Sequence, residues 1–295
     1  MKSITLTKKQ FDKLNMLDIG DASHYESDIY VLNHGPWKYA DGSLLFKKLK
    51  PFCERDLATK LQTVCLMIEN EKEINSEELV IPNSLVVIKD KVEGFTVPYV
   101  KDARTLREAL KDDNISNSEK IEYLKKVGKT LKKIDSLKRR KIINLSIGDL
   151  HEDNVLVTKD GKIKLIDLDS AYIENNYPQG ARYLRSDGIS KCKKYKANVY
   201  GIVYPNKTSD LYCYIIMILN MLSKEHRMDR KSIPEYFDYL NYLKYLGFGE
   251  DLLKVFGRVY TEGPNINPVD YLDEINTENI DEASYENFEK KYIKK

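Results

Sequence analysis

Three oxygen-bearing side chains in one stretch carry the strongest chemical signal in the chain. Asp149 and Asn154 both lie in Ile147-Gly148-Asp149-Leu150-His151-Glu152-Asp153-Asn154, and Asp167 follows a few turns of chain later. Two short apolar strands, Val155 to Val157 and Ile163 to Ile166, flank Asp160-Gly161, a pair suited to a tight hairpin. A hairpin brings its two ends together, so Asp149, Asn154 and Asp167 are expected to converge on one small volume. Two carboxylates and a carboxamide crowded there need a cation or a strong functional reason. The donor set suits magnesium, which takes a few protein oxygens and completes its shell with waters and substrate phosphates. The chemistry this implies is phosphoryl transfer.

Several elements must position these groups. Ser43 to Leu49 reads as a strand ending in lysines, and because side chains alternate, only one of Lys47 and Lys48 can face a given side. Leu57, Leu61, Val64, Cys65 and Ile68 form a helical stripe within Phe52 to Asn70. Ile81 to Ile88 and Val92 to Val100 read as two strands joined by a turn at Lys89-Asp90-Lys91. A helix from Ser118 to Lys138 sets Ile121, Leu124, Val127, Leu131 and Ile134 on one side and lysines on the other. Those lysines read as a solvated face in preference to a docking patch. Leu211 to Leu222 is apolar on all sides and must be buried, with Ser209 or Asp210 as its N-cap.

The central stretch resembles the catalytic loop of the protein-kinase-like superfamily, H-R-D-L-x-x-x-N, and Asp167-Leu168-Asp169 falls on its metal-binding D-F-G element. The Gly-Asp-Leu-His form is similar to atypical, bacterial-type Ser/Thr kinases and to antibiotic phosphotransferases. The resemblance implies an α+β, two-lobed fold. A small antiparallel-sheet N-lobe would occupy residues 1–100 and a mainly helical C-lobe residues 101–295. It implies ATP and Mg2+ as cofactors. Asp149 would orient the attacking hydroxyl and accept its proton, Asn154 and Asp167 would hold the metal, and Lys47 would grip the α and β phosphates. Lys47 is preferred to Lys48 because Leu45 would then line the adenine side. Glu69 is the choice for the lysine's helix partner, from among Glu54, Glu69, Glu71 and Glu73. Gly20 would sit in the loop over the phosphates, and Pro98, Tyr99 and Val100 would form the hinge beside adenine. Asp210 would brace the catalytic loop's backbone.

The match also departs from the pattern. Gly20 is the only glycine in its loop, Gly148 replaces the arginine that reads a phosphorylated activation segment, His151 stands in place of a lysine, and Asp169 replaces a glycine. His151 is expected to make a structural hydrogen bond, and Asp169 to reach a second ion or cap a turn. The polar stretch from Ser170 to about Lys207, with Ser186, Ser190 and the lysines at 191–196, sits where an activation segment belongs. The interval between Tyr99 and Asp149 leaves room for two helices and little else, whereas antibiotic phosphotransferases usually insert extra helices there, so the resemblance implies a protein-kinase-like body. The expected activity is a Ser/Thr protein kinase, with a small-molecule phosphotransferase and a pseudokinase scaffold as alternatives.

Composition narrows the setting. Among 295 residues, 48 Lys and Arg against 46 Asp and Glu give a net charge of +2, which makes no general case for a nucleic-acid or membrane partner. Hydrophobic content of 42% with 32% charged residues is that of a folded chain. Cys53, Cys65, Cys192 and Cys213 form no C-x-x-C pair and read as reduced thiols of a cytoplasmic protein. The N-terminus lacks the apolar core of a signal peptide. Glu262 to Glu289 holds acids and no lysine or arginine, and is open to two readings, a mobile tail or a segment lying on a basic face.

Overall fold

The computed structural model describes residues 2–17, 27–33, 41–50, 54–176, 206–224 and 228–276, with single positions at 278, 280 and 290. Gly20, the segment 177–205 with its serines and lysines, Cys53, Cys192 and most of the acidic tail beyond 276 lie outside these residues.

The chain opens with β1 (Ser3–Leu6), the short helix α1 (Lys8–Phe11), β2 (Asn15–Met16), β3 (Ser27–Val31) and β4 (Leu44–Leu49). After α2 (Glu54–Glu69) and α3 (Glu71–Ile74) come β5 (Ser84–Ile88) and β6 (Lys91–Pro98). These strands form one sheet in the order β1-β5-β6-β4-β3-β2. It departs from the expected antiparallel sheet at one edge, where β1 runs parallel to β5. That pairing joins distant segments, so no local turn signal announces it. β5 and β6 meet at Lys89-Asp90, both with positive φ, the two-residue turn that matches strand twist.

Alternation along β4 sends residues to two cores. Leu44 and Phe46 join Ile4, Leu6, Leu32 and Val86 on one face. Leu49 packs on the other with Phe95 and with Val64 and Ile68 of α2. The chain leaves this sheet at Pro98 and enters a second one at β7 (Ala103–Thr105), paired to β9 (Val155–Thr158), which pairs in turn with β10 (Ile163–Leu165). The rest is mainly helical: α4 (Leu106–Lys111), α5 (Asn117–Arg139), α6 (Lys207–Ser223), α7 (Ile233–Tyr245) and α8 (Glu250–Gly257). A further two-stranded ladder joins β8 (Leu145–Ser146) to β11 (Tyr172–Ile173). The largest core surrounds α6, whose residues from Ser209 to Leu222 are buried on every side.

The N-cap of α6 is Asn206, which accepts from Thr208 and Ser209 in a capping box. Neither Ser209 nor Asp210 is the cap, because the helix begins earlier than the apolar run that marks it in sequence. Part of the acidic stretch does lie on a basic face. A 3₁₀ turn, Pro268–Glu274, packs on α5, with Asp270 on Lys132 and Asp273 on Lys125. Among the described residues no helix is long and apolar enough to cross a membrane.

Candidate functional site

The hairpin places its polar ends as the turn chemistry requires. Val155 pairs with Leu165 and Val157 with Ile163, with Gly161 at φ 72° in the connection. Ile166 N donates to Asn154 O at 2.9 Å, which fixes Asp167 beside Asn154. Asp167 is left-handed, at φ 61° and ψ 45°, a conformation that Asp tolerates better than most residues and that often marks functional sites. Asn154 Nδ2 donates to the Asp149 carbonyl at 2.9 Å, tying the loop's two polar ends and leaving Oδ1 as the amide's acceptor.

The Asp149 loop is held from behind. Gly148 adopts φ 82°, open to glycine and costly for other residues, and Asp149 N donates to Ile147 O at 3.0 Å across that tight turn. Asp210, 4% exposed in the first turn of α6, accepts from Ile147 N at 2.8 Å and Gly148 N at 3.0 Å. Burial pushes its carboxyl up to about 7 against the pull of those two bonds. The expected brace is therefore present, made by a residue inside the helix and not by its cap.

His151 is buried, and its Nδ1 accepts from Asp153 N at 3.3 Å, so the imidazole caps the short 3₁₀ turn that carries Asn154. Its Nε2 lies 3.7 Å from Asp149 Oδ2. Glu152, also buried, accepts from Asn220 of α6 at 2.7 Å, and Arg107 of α4 reaches Asp153 at 2.5 Å and Glu152 at 3.4 Å. Sequence reasoning missed these supports. The available signal was Asn220, a lone carboxamide inside an apolar run.

Lys47 arrives from the first sheet. It is buried, contacts Asp167, and lies 2.8 Å from Asp169 Oδ1, with its ammonium 5.8 Å from the centre of the Phe95 ring. Lys48, one residue on, turns to the other face, 3.5 Å from Glu93 and over the Phe11 ring. Burial alone would lower the Lys47 pKa, but the two carboxylates outweigh it and hold the ammonium above its usual range. Burial likewise opposes the charge on Asp169, and Lys47 and Lys60 outweigh it, so this carboxyl stays below the usual range. Asp167 is raised, by desolvation first and then by the neighbouring Asp169 charge, with Lys47 pulling the other way.

Glu69 does not join this cluster. It ends α2 on an exposed turn and, among the described residues, makes no ion pair with Lys47. Among the described side chains, the helix residue at the cluster is Lys60, 3.6 Å from Asp169 Oδ2, and the side chain of Glu54 lies outside them. At the expected hinge, Pro98 has no N–H, and Tyr99 N is already donated to Ser43 O at 2.9 Å. Among the described residues Val100 N makes no backbone hydrogen bond, so of the three it is the one whose N–H is not taken up by the main chain.

Among the described residues no group of three or more His, Cys, Asp or Glu is placed to hold a metal ion by itself. The Asp167 carboxylate and Asn154 Oδ1 make a sparse pair of hard oxygen donors, which fits a cation that takes its other ligands from phosphate and water. No family model matches the chain, and no curated protein matches it.

Proposed function

We propose that the protein is an ATP- and magnesium-dependent phosphotransferase with a two-lobed, protein-kinase-like architecture, transferring the γ-phosphate to Ser or Thr hydroxyls of a protein. One observation carries this reading: Lys47, from a sheet far away in sequence, meets Asp167 at the end of the hairpin whose other end carries Asn154 and the braced Asp149 loop. Phosphoryl transfer asks for charge neutralisation and positioning, and these groups supply both.

In this mechanism Lys47 binds the α and β phosphates, and its raised pKa keeps it cationic there. Asp167 and Asn154 would hold the magnesium ion, which would supply positive charge against the nucleotide's phosphates. Asp149, with a side chain 24% exposed, is accessible to an incoming hydroxyl, orients it and takes its proton. The Asp210 brace and the Gly148 turn limit how far that carboxylate can move. Arg107 steadies the same loop through Asp153.

The test is incubation with labelled ATP and magnesium, comparing the native chain with Asp167→Ala. Transfer is expected to fall by about a hundredfold or more in the variant. Equal signal from both proteins would overturn the catalytic reading in favour of a binding module. Label on small molecules in place of protein would move the substrate class to a small-molecule phosphotransferase.

A further inference from the structure

Asp169 has surroundings unlike those of Asp167. Its side chain is 1% exposed, whereas that of Asp167 is 38% exposed. Lys47 Nζ lies 2.8 Å from one carboxylate oxygen and Lys60 Nζ 3.6 Å from the other, so the buried anion is straddled by two lysines that are themselves buried. Oδ2 accepts no hydrogen bond among the described residues, which leaves the ion pair with Lys60 as its compensation. A buried carboxylate is tolerated only when paired, so this arrangement is costly unless it serves a purpose.

The same stretch is fastened to α2 at further points. Thr63 donates to the Ala171 carbonyl at 3.2 Å, and Asn176 donates to Thr59 O at 3.0 Å and to Thr63 Oγ1 at 2.6 Å. The residues that follow Asp167 are thus docked along one face of the helix, with Lys60 on that face.

We infer that Asp169 is the positioning residue for Lys47, and that Lys60 couples this position to the docking of α2. The inference rests on the phosphotransferase reading above. Asp167 keeps more of its side chain exposed than Asp169 and would be drawn toward an incoming metal–nucleotide, which leaves Asp169 as the lasting anchor of Lys47. Asp169 is shielded and keeps its hold. The superfamily's helix supplies a glutamate to this lysine. Among the described side chains, the helix here supplies Lys60, and the carboxylate comes from the position after Asp167-Leu168. An anion here touches both lysines at once, a role that glycine could not fill.

The test is titration of the full chain with a fluorescent, non-hydrolysable ATP analogue and magnesium, alongside labelled-phosphate transfer and thermal melting. Asp169→Asn is expected to weaken analogue binding about tenfold, the effect of removing one charge-assisted bond at the lysine. Lys60→Met is expected to weaken it in the same direction, with Lys60→Arg restoring it and the double variant no worse than Asp169→Asn alone. Nucleotide binding by the native chain that is unchanged in both Asp169→Asn and Lys60→Met would overturn the inference while leaving the phosphotransferase reading intact. A lowered melting temperature with unchanged affinity in Lys60→Met would also overturn it, since that is the mark of a merely structural pair. A native chain that binds no nucleotide would overturn both.

Discussion

The first sheet and the Val155–Leu165 hairpin deliver charged groups to the same place by different means. In the hairpin, chain order does the positioning: one tight connection and one backbone bond, Ile166 N to Asn154 O, bring Asp167 beside Asn154. In the sheet, Lys47 reaches the site only because β4 is registered between two neighbours, opposite Ile29 on β3 and Phe95 on β6. The first arrangement needs few residues to be right, and the second needs a whole sheet to be in register. Perturbations of equal chemical size should therefore do more harm in the sheet.

Gly94 offers the most severe way to break that difference. A Cβ added there would lie 2.1 Å from the Lys47 carbonyl oxygen, a backbone atom that cannot move unless β4 and β6 separate. Gly94→Ala is expected to destabilise the fold by about 3 kcal/mol, the upper end for overpacking, because the obstacle is main chain. It should also weaken binding of the ATP analogue by displacing Lys47. Urea unfolding and the fluorescence titration measure the two effects. A loss under about 0.5 kcal/mol with unchanged affinity would mean that the sheet adjusts as easily as a surface loop.

The same contrast governs what could be read from sequence. The bond from Asn154 to Asp149 and the backbone link from Asn154 to the residue before Asp167 lie where local turn residues lead one to expect them. That Lys47 and Lys48 face opposite sides follows from the two-residue period of a strand, and the burial of α6 from its apolar content. Glu69 was misread because being near the end of a helix says nothing about which turn of that helix packs. The informative residue was Lys60, a cation between Leu57 and Val64 on the apolar stripe, since a charge on a packing face must have a partner. Asp169 was noticed as a departure, but its role needs Lys60, which lies more than a hundred positions away. The β1–β5 parallel pairing and the Asn206 cap escaped for related reasons: one is non-local, and the other competes with two further polar residues in the same turn.

Asp210 sharpens the comparison with an effect of intermediate size, because it is the tertiary contact that holds the Ile147 and Gly148 backbone of the local loop. Asp210→Asn keeps an acceptor for one of the two N–H groups and turns a donor toward the other, at a cost of about 2 kcal/mol. The cost is expected to vary with pH. Below about 3.8 both folded and unfolded chains carry the proton, and between that value and about 7 only the folded chain does. Raising pH through that window therefore favours unfolding of the native protein, at up to about 1.4 kcal/mol per unit, and leaves the Asn variant unaffected by this group. Because the loss accumulated over that window exceeds the cost of the substitution, the native chain's advantage should vanish and then reverse between pH 4 and pH 8 in urea titrations. A difference that is flat with pH would mean that the two N–H groups keep the carboxylate ionised throughout.

The smallest expected effect comes from the same kind of ion pair placed in water. Lys132 and Asp270 join α5 to the 3₁₀ turn near the C-terminus, with side chains 42% and 61% exposed. Solvent and salt screen such a pair, so Asp270→Asn should cost less than about 1 kcal/mol and nothing measurable in high salt. The turn is also held by the buried Val269 and Leu272 and by Asn267, which donates to Gly128 O at 2.8 Å. Those contacts survive the substitution. A loss above about 1.5 kcal/mol that salt reproduces in the native chain would mean that charge, and not apolar burial, fastens this acidic segment to the basic face of α5. The exposed pair would then rank with Lys47 and Asp169, and burial would no longer explain why only the inner lysine pair belongs to the site.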